Sequence, residues 1–132
     1  MKKLLMAAFL FSAMSAPAMA GWHGYWFTGS NGKSYAYDIS NLGGAAVYAP
    51  DENYVSFTTG DITHCHTQSN VIKKVDDRSI AFSRFIAGKL CVFKPQSKSD
   101  EDFIVNQFKS KQMVTWNSYN IPTKGFESIL NK

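Results

Sequence analysis

His64-Cys65-His66 is the one concentration of metal-ligand residue types in the chain of 132 residues. On an extended strand, side chains two apart share a face, so His64 and His66 would present two imidazoles side by side. His23 is the remaining histidine and could add a third ligand from the N-terminal region. Three protein ligands and an open position describe a catalytic zinc site, and copper also takes imidazole well. No Asp or Glu stands beside the pair at ligand spacing, and Cys65 has a better use as half of a disulfide. Zinc or copper at His64, His66 and His23 is therefore the alternative reading, and two solvent-facing histidines the leading one. No cofactor is expected.

Other catalytic patterns fail on spacing. Gly29-Ser-Asn-Gly-Lys-Ser34 ends like a phosphate-binding loop, but that loop needs a glycine where Phe27 stands and must open a helix. Asn31-Gly32 between two aromatic runs reads instead as a type I′ hairpin turn. There is no Gly-x-Ser-x-Gly elbow. The carboxylates gather at Asp51-Glu52, Asp76-Asp77 and Asp100-Glu101-Asp102, each explained by a turn or a helix start. A small hydrolase survives only as a second alternative.

The aromatic residues are the more informative excess. Tyr25, Trp26, Tyr35, Tyr37, Tyr48 and Tyr54 fall close together. A core can satisfy only so many phenol tips, and exposed tyrosines give large contact area with few rotors to freeze. In the ribbon around residues 22–39, Trp22 and Trp26 are expected to turn inward, against the segment Ile80–Lys94. Tyr25 then faces outward, with Tyr35 or Tyr37 within reach across the ribbon, and these three tyrosines are the candidate binding surface.

These residues need elements to position them. Residues 1–20 read as a secretory signal: Lys2 and Lys3, an apolar run from Leu4 to Ala13, and Ala18-Met19-Ala20 as the cleavage pattern. The remaining 112 residues, 21–132, make one domain. They carry 12 basic and 10 acidic residues, too mild a balance for nucleic acid, and no second apolar run long enough to span a membrane. Two cysteines in an exported chain of this size read as one structural disulfide, Cys65–Cys91. Across 26 positions it should contribute about 3–3.5 kcal/mol in the chain-entropy model. A redox pair would need Cys-x-x-Cys spacing, which is absent.

Alternation of period two places strands near 22–28, 33–39, 45–48, 54–59, 62–67 and 112–116, with 71–75 leaning the same way. In the strand at 62–67, Cys65 faces away from both histidines. Ile80–Lys94, the densest apolar stretch, reads as one central strand buried on both faces. Ser99 with Asp102 resembles a capping box opening a helix with a Phe103, Ile104, Phe108 stripe. Thr123 is a plausible cap for a short terminal helix. The sum, seven or eight short strands and late helices, predicts an antiparallel β-sandwich or small barrel with one or two short C-terminal helices.

Phe108-Lys-Ser-Lys-Gln-Met-Val-Thr-Trp116, followed by Ile121-Pro-Thr-Lys-Gly-Phe126, resembles the end of the invasion-associated-locus-B type of exported bacterial protein. The resemblance covers about 20 residues, from Phe108 to Phe126. It implies a periplasmic β-sandwich and brings no catalytic residues. The sequence as a whole reads as an exported, periplasmic or secreted, non-catalytic module that binds another protein as an inhibitor, immunity factor or envelope accessory.

Overall fold

Among the described residues, short apolar–polar alternations, each ended by a turn residue, become nine strands. A computed structural model of the chain describes residues 25–38, 40, 43–63, 65 and 68–131. The order is β1 (Phe27–Thr28), β2 (Ser34–Tyr37), β3 (Gly44–Ala49), β4 (Tyr54–Thr59), β5 (Ser69–Val75), β6 (Arg78–Ala87), β7 (Leu90–Pro95), α1 (Lys98–Ser110), β8 (Met113–Trp116), β9 (Tyr119–Pro122) and α2 (Phe126–Leu130). All pairings are antiparallel, in one sheet ordered β1-β2-β3-β4-β7-β6-β5-β8-β9. The mainly β, antiparallel class with late helices is as the sequence reads. Among the described residues, no helix is long and apolar enough to cross a membrane.

The segment Ile80–Lys94 is two strands, not one. Gly88 takes φ +64, and the two-residue connection Gly88-Lys89 folds β6 back on β7. Glycine at the first position of such a turn matches the twist of the paired strands. The turn also reverses the facing that a continuous strand would have. Phe85 lies opposite Val92, while Phe93 lies opposite Arg84 and Cys91 opposite Ile86. Phe85 and Phe93 therefore occupy different faces.

Four further expectations are corrected. Between β1 and β2 only Gly32 has positive φ (+83), and Gly32 N–H donates to Gly29 O. That is a type I turn closed by a glycine bulge, with Lys33 N–H held by Asn31 Oδ1, and not a type I′ turn. Ile62, Thr63 and Cys65 are not in a strand: Thr63 N–H donates to Asp61 Oδ1 and Cys65 N–H to Ile62 O, forming a turn. Ser97, not Ser99, caps α1, its hydroxyl accepting from Asp100 N–H. Thr123 donates its hydroxyl to Lys111 O, and Gly125 precedes α2 in its place.

The core lies on one face of the sheet. Val55 and Phe57, Ile80 and Phe82, Phe93, and Val114 and Trp116 meet Ile104 and Phe108 from α1 and Phe126 from α2. Trp116 stacks on Phe57 with ring centroids 4.7 Å apart and planes 5° apart. Its buried Nε1–H has no acceptor, a cost of about 1–3 kcal/mol that the surrounding stacking must offset.

The sheet is rolled so that β9 returns to β2 and β3. The seam is closed by individual bonds and not by a ladder. Trp26 N–H donates to Lys124 O (2.8 Å), the Trp26 indole to Pro122 O (3.0 Å), and Asn120 N–H to Asp38 Oδ2 (2.7 Å). Trp26 turns inward, and its ring neighbours among the described residues are Phe108 and Phe126 on the helices. The Tyr119 ring lies over Gly44, where any Cβ would fall 2.4 Å from it.

Candidate functional site

The register places a second set of apolar side chains on the sheet face opposite the core. Phe27 lies opposite Tyr35, Tyr35 opposite Val47, and Tyr37 opposite Ala45. Thr58 lies opposite Val92, and Val92 opposite Phe85. The outer face thus carries an aromatic and aliphatic band running from β1 across to β6. Phe27 touches both tyrosines, at 5.8 Å from Tyr35 and 5.9 Å, stacked, from Tyr37. Asn31 donates its side-chain amide to the Tyr35 hydroxyl at 2.7 Å, which holds that ring.

Within the band is a hollow of about 280 Å³ floored by Tyr35, Val47, Tyr54, Phe85 and Val92, with exposed Leu90 at its rim. Exposed Lys33, Glu52 and Lys94 also line it. The Lys94 ammonium sits 5.3 Å from the Tyr54 ring centroid, a cation–π contact. Burial pushes the Tyr54 hydroxyl above its ordinary pKa of 10.0, and Glu52 adds to the shift while Lys94 opposes it. Burial likewise raises Tyr37, with a smaller contribution from Tyr35. Both phenols stay neutral, so the band is apolar with polar tips.

Tyr35 and Tyr37 are brought together, with Phe27 as the ring between them. Tyr25 is exposed (39%) but lies outside the strands, so the register does not place it in the band. Phe85 and Val92 are not read from the sequence as surface residues, whereas Phe27 shares the outward face of the alternation with Tyr25. Alternation counted separately on each side of Gly88 would have found Phe85 and Val92. The metal candidates His23, His64 and His66 lie outside the described residues. Among the described residues, no group of three His, Cys, Asp or Glu side chains is arranged to hold a metal ion.

Cys65 and Cys91 are bonded, both buried, with Cα atoms 6.0 Å apart. The chain between β4 and β5 must pass two strands, β7 and β6, to reach its place in the sheet. The disulfide ties that crossing to the start of β7. Beside it, on the core side of the sheet, is a smaller cavity of about 160 Å³ lined by Asp61, Lys73, Arg84, Asn117, Tyr119 and the two cysteines.

Most described carboxylates have structural partners. Asp76 accepts from Gln107 and from Thr115 N–H, Asp100 pairs with Arg78, and Asp38 accepts from Ser40 and Asn120. No protein-family model, no curated protein and no solved structure matches the chain.

Proposed function

We propose that this protein is an exported, periplasmic module that acts by binding another protein through the outer face of β2, β3, β4, β6 and β7. The observation that carries the reading is the apolar hollow floored by Tyr35, Tyr54, Phe85 and Val92 with Lys33, Glu52 and Lys94 beside it. An apolar, aromatic centre with a charged surround is the anatomy of a protein interface. Tyrosines already pinned, as Tyr35 is by Asn31, lose little entropy on binding. Both charge signs stand beside one hollow, which suits a polypeptide with its own mixed charges better than a uniformly charged polymer. The buried disulfide fits an oxidising compartment. An inhibitor, immunity or envelope accessory role follows from such a surface.

Affinity capture from envelope extract, with the captured protein identified and its affinity then measured, tests the reading. Leu90→Glu places a charge at an exposed rim position (44%), and Tyr35→Ala removes an anchor. Each should weaken binding by about tenfold or more, as for interface anchors, while Lys109→Glu on α1 leaves it unchanged. Equal capture by the wild type and by both face variants would refute the assignment. Self-association in sedimentation, abolished by Leu90→Glu, would instead make the face a homodimer contact.

A further inference from the structure

The cavity beside the disulfide is lined by two cations, Lys73 and Arg84, and by one carboxylate, Asp61, so positive charge is in excess. Lys73 and Arg84 both stand on the core side of the sheet, Lys73 opposite Ile80 and Arg84 opposite Phe93. Both are half-buried and both line the cavity. Among the described residues, neither makes an ion pair. Arg84 uses only its Nε–H, donated to Ser69 Oγ at 3.2 Å, which orients the guanidinium and leaves its terminal nitrogens for another acceptor. Charged groups partly withdrawn from water favour a partner of opposite sign, and with Asp61 the only carboxylate in the lining the cavity keeps a net positive charge that an anion can meet.

The rest of the lining suits an oxyanion. Asn117 and Tyr119 bring side-chain groups able to donate hydrogen bonds, while the Thr59 hydroxyl already donates to Asp61 O. Arg presents a fork that matches carboxylate and phosphate, and Lys adds a point charge. The volume, about 160 Å³, falls below that of pockets for drug-sized ligands and fits a small oxyanion or a single anionic group. Asp61 also lines the cavity and opposes an anion, but its carboxylate accepts the Thr63 N–H, and two cations face it.

We infer that this cavity is a binding site for a small oxyanion, a carboxylate or a phosphate-type group, held between Lys73 and Arg84. It is separate from the outer face, on the other side of the sheet, and does not depend on the protein-binding proposal.

Backbone amide NMR of the oxidised protein, titrated at constant ionic strength with inorganic phosphate, with acetate and with chloride, reads the site directly. Saturable shifts confined to the amides of Thr59, Arg84, Asn117 and Tyr119 are expected with phosphate or with acetate. Saturation by phosphate alone identifies a phosphate-type ligand, and saturation by acetate a carboxylate. Arg84→Gln and Lys73→Gln should each weaken binding by about tenfold or more, the loss of one hydrogen bond to a charged group. Asp61→Asn should tighten it, since it removes the opposing charge. If Arg84→Gln fails to fold, Lys73→Gln and Asp61→Asn still decide. Linear, non-saturating shifts, an equal response to chloride, or affinity indifferent to Lys73→Gln and Asp61→Asn would overturn the inference.

Discussion

Asp38 holds the rolled sheet shut, and removing it tests the seam. The residue is almost wholly buried (2% exposed) at the end of β2. Oδ1 accepts from Ser40 N–H (2.7 Å) and Ser40 Oγ–H (2.9 Å), and Oδ2 accepts from Asn120 N–H (2.7 Å), 82 residues away. Hydrogen bonds to a charged group contribute about 1.5–3 kcal/mol each. Ser40 and Asn120 are exposed, so water recovers part of that when the carboxylate goes, and removing a buried charge also returns its desolvation cost. Asp38→Ala should therefore destabilise by about 2–4 kcal/mol. Asp38→Asn is the sharper probe. An amide has one accepting oxygen where Asp38 uses two, so its NH₂ must meet either Ser40 or the Asn120 N–H as donor against donor. It should cost about 2–3 kcal/mol despite its matching shape. Urea melts should show a lower midpoint at unchanged slope. Amide exchange should show lost protection at Asn120 and Trp26 before the β6–β7 hairpin is affected. An Asp38→Asn protein that melts like wild type, with Asn120 still protected, would refute this account of closure.

Replacing both Cys65 and Cys91 by Ala should lower stability by about 3–3.5 kcal/mol, measured by the same melts, since the bond closes a loop across 26 positions. Trp26→Ala, which empties a buried site against Phe108 and Phe126, should cost about 3–5 kcal/mol. Tyr25→Ala should stay within about 1 kcal/mol, because that ring is exposed and outside the strands. Stability should fall as pH rises above about 10. Tyr37 and Tyr54 have folded pKa values raised above 10.0, so beyond that pH the native state binds more protons than the unfolded one and the slope is negative. Tyr37→Phe with Tyr54→Phe should flatten that alkaline limb, and phenolate absorbance should report their late titration.

Period-two patterns separated by turn residues were enough to read the class, because each strand is short and one of its faces is buried. The pairing of Cys65 with Cys91 was legible for a simpler reason, that each is the other's only choice. The central hairpin was not legible. Gly88-Lys89 sits in an unbroken apolar run, and a two-residue turn leaves the local alternation looking continuous while it exchanges the faces. That misreading hid Phe85 and Val92, and with them one side of the outer hollow. The inward turn of Trp26 could be read from size, but its neighbours could not, since Phe108 and Phe126 lie on helices 82 and 100 residues later. The cationic cavity joins Lys73 on β5, Arg84 on β6 and Tyr119 on β9, strands whose order in the sheet does not follow the chain.

The seam also dictates an order of folding. The β3–β4 and β6–β7 hairpins join neighbours in the chain and can form with little loop entropy to overcome. The bonds that roll the sheet span 82 residues from Asp38 to Asn120 and 96 from Trp26 to Pro122. Synthesis runs from the N-terminus, so Val55 and Phe57 are made well before Trp116, which covers them. Before that only Ile104 and Phe108 of α1 can pack on this apolar face. Once the C-terminal strands arrive, closure comes last. Substitutions at Trp26 should then quicken unfolding while leaving the folding rate nearly unchanged, the behaviour of contacts absent from the transition state. The persistence of the native state therefore rests on its first and last segments staying joined.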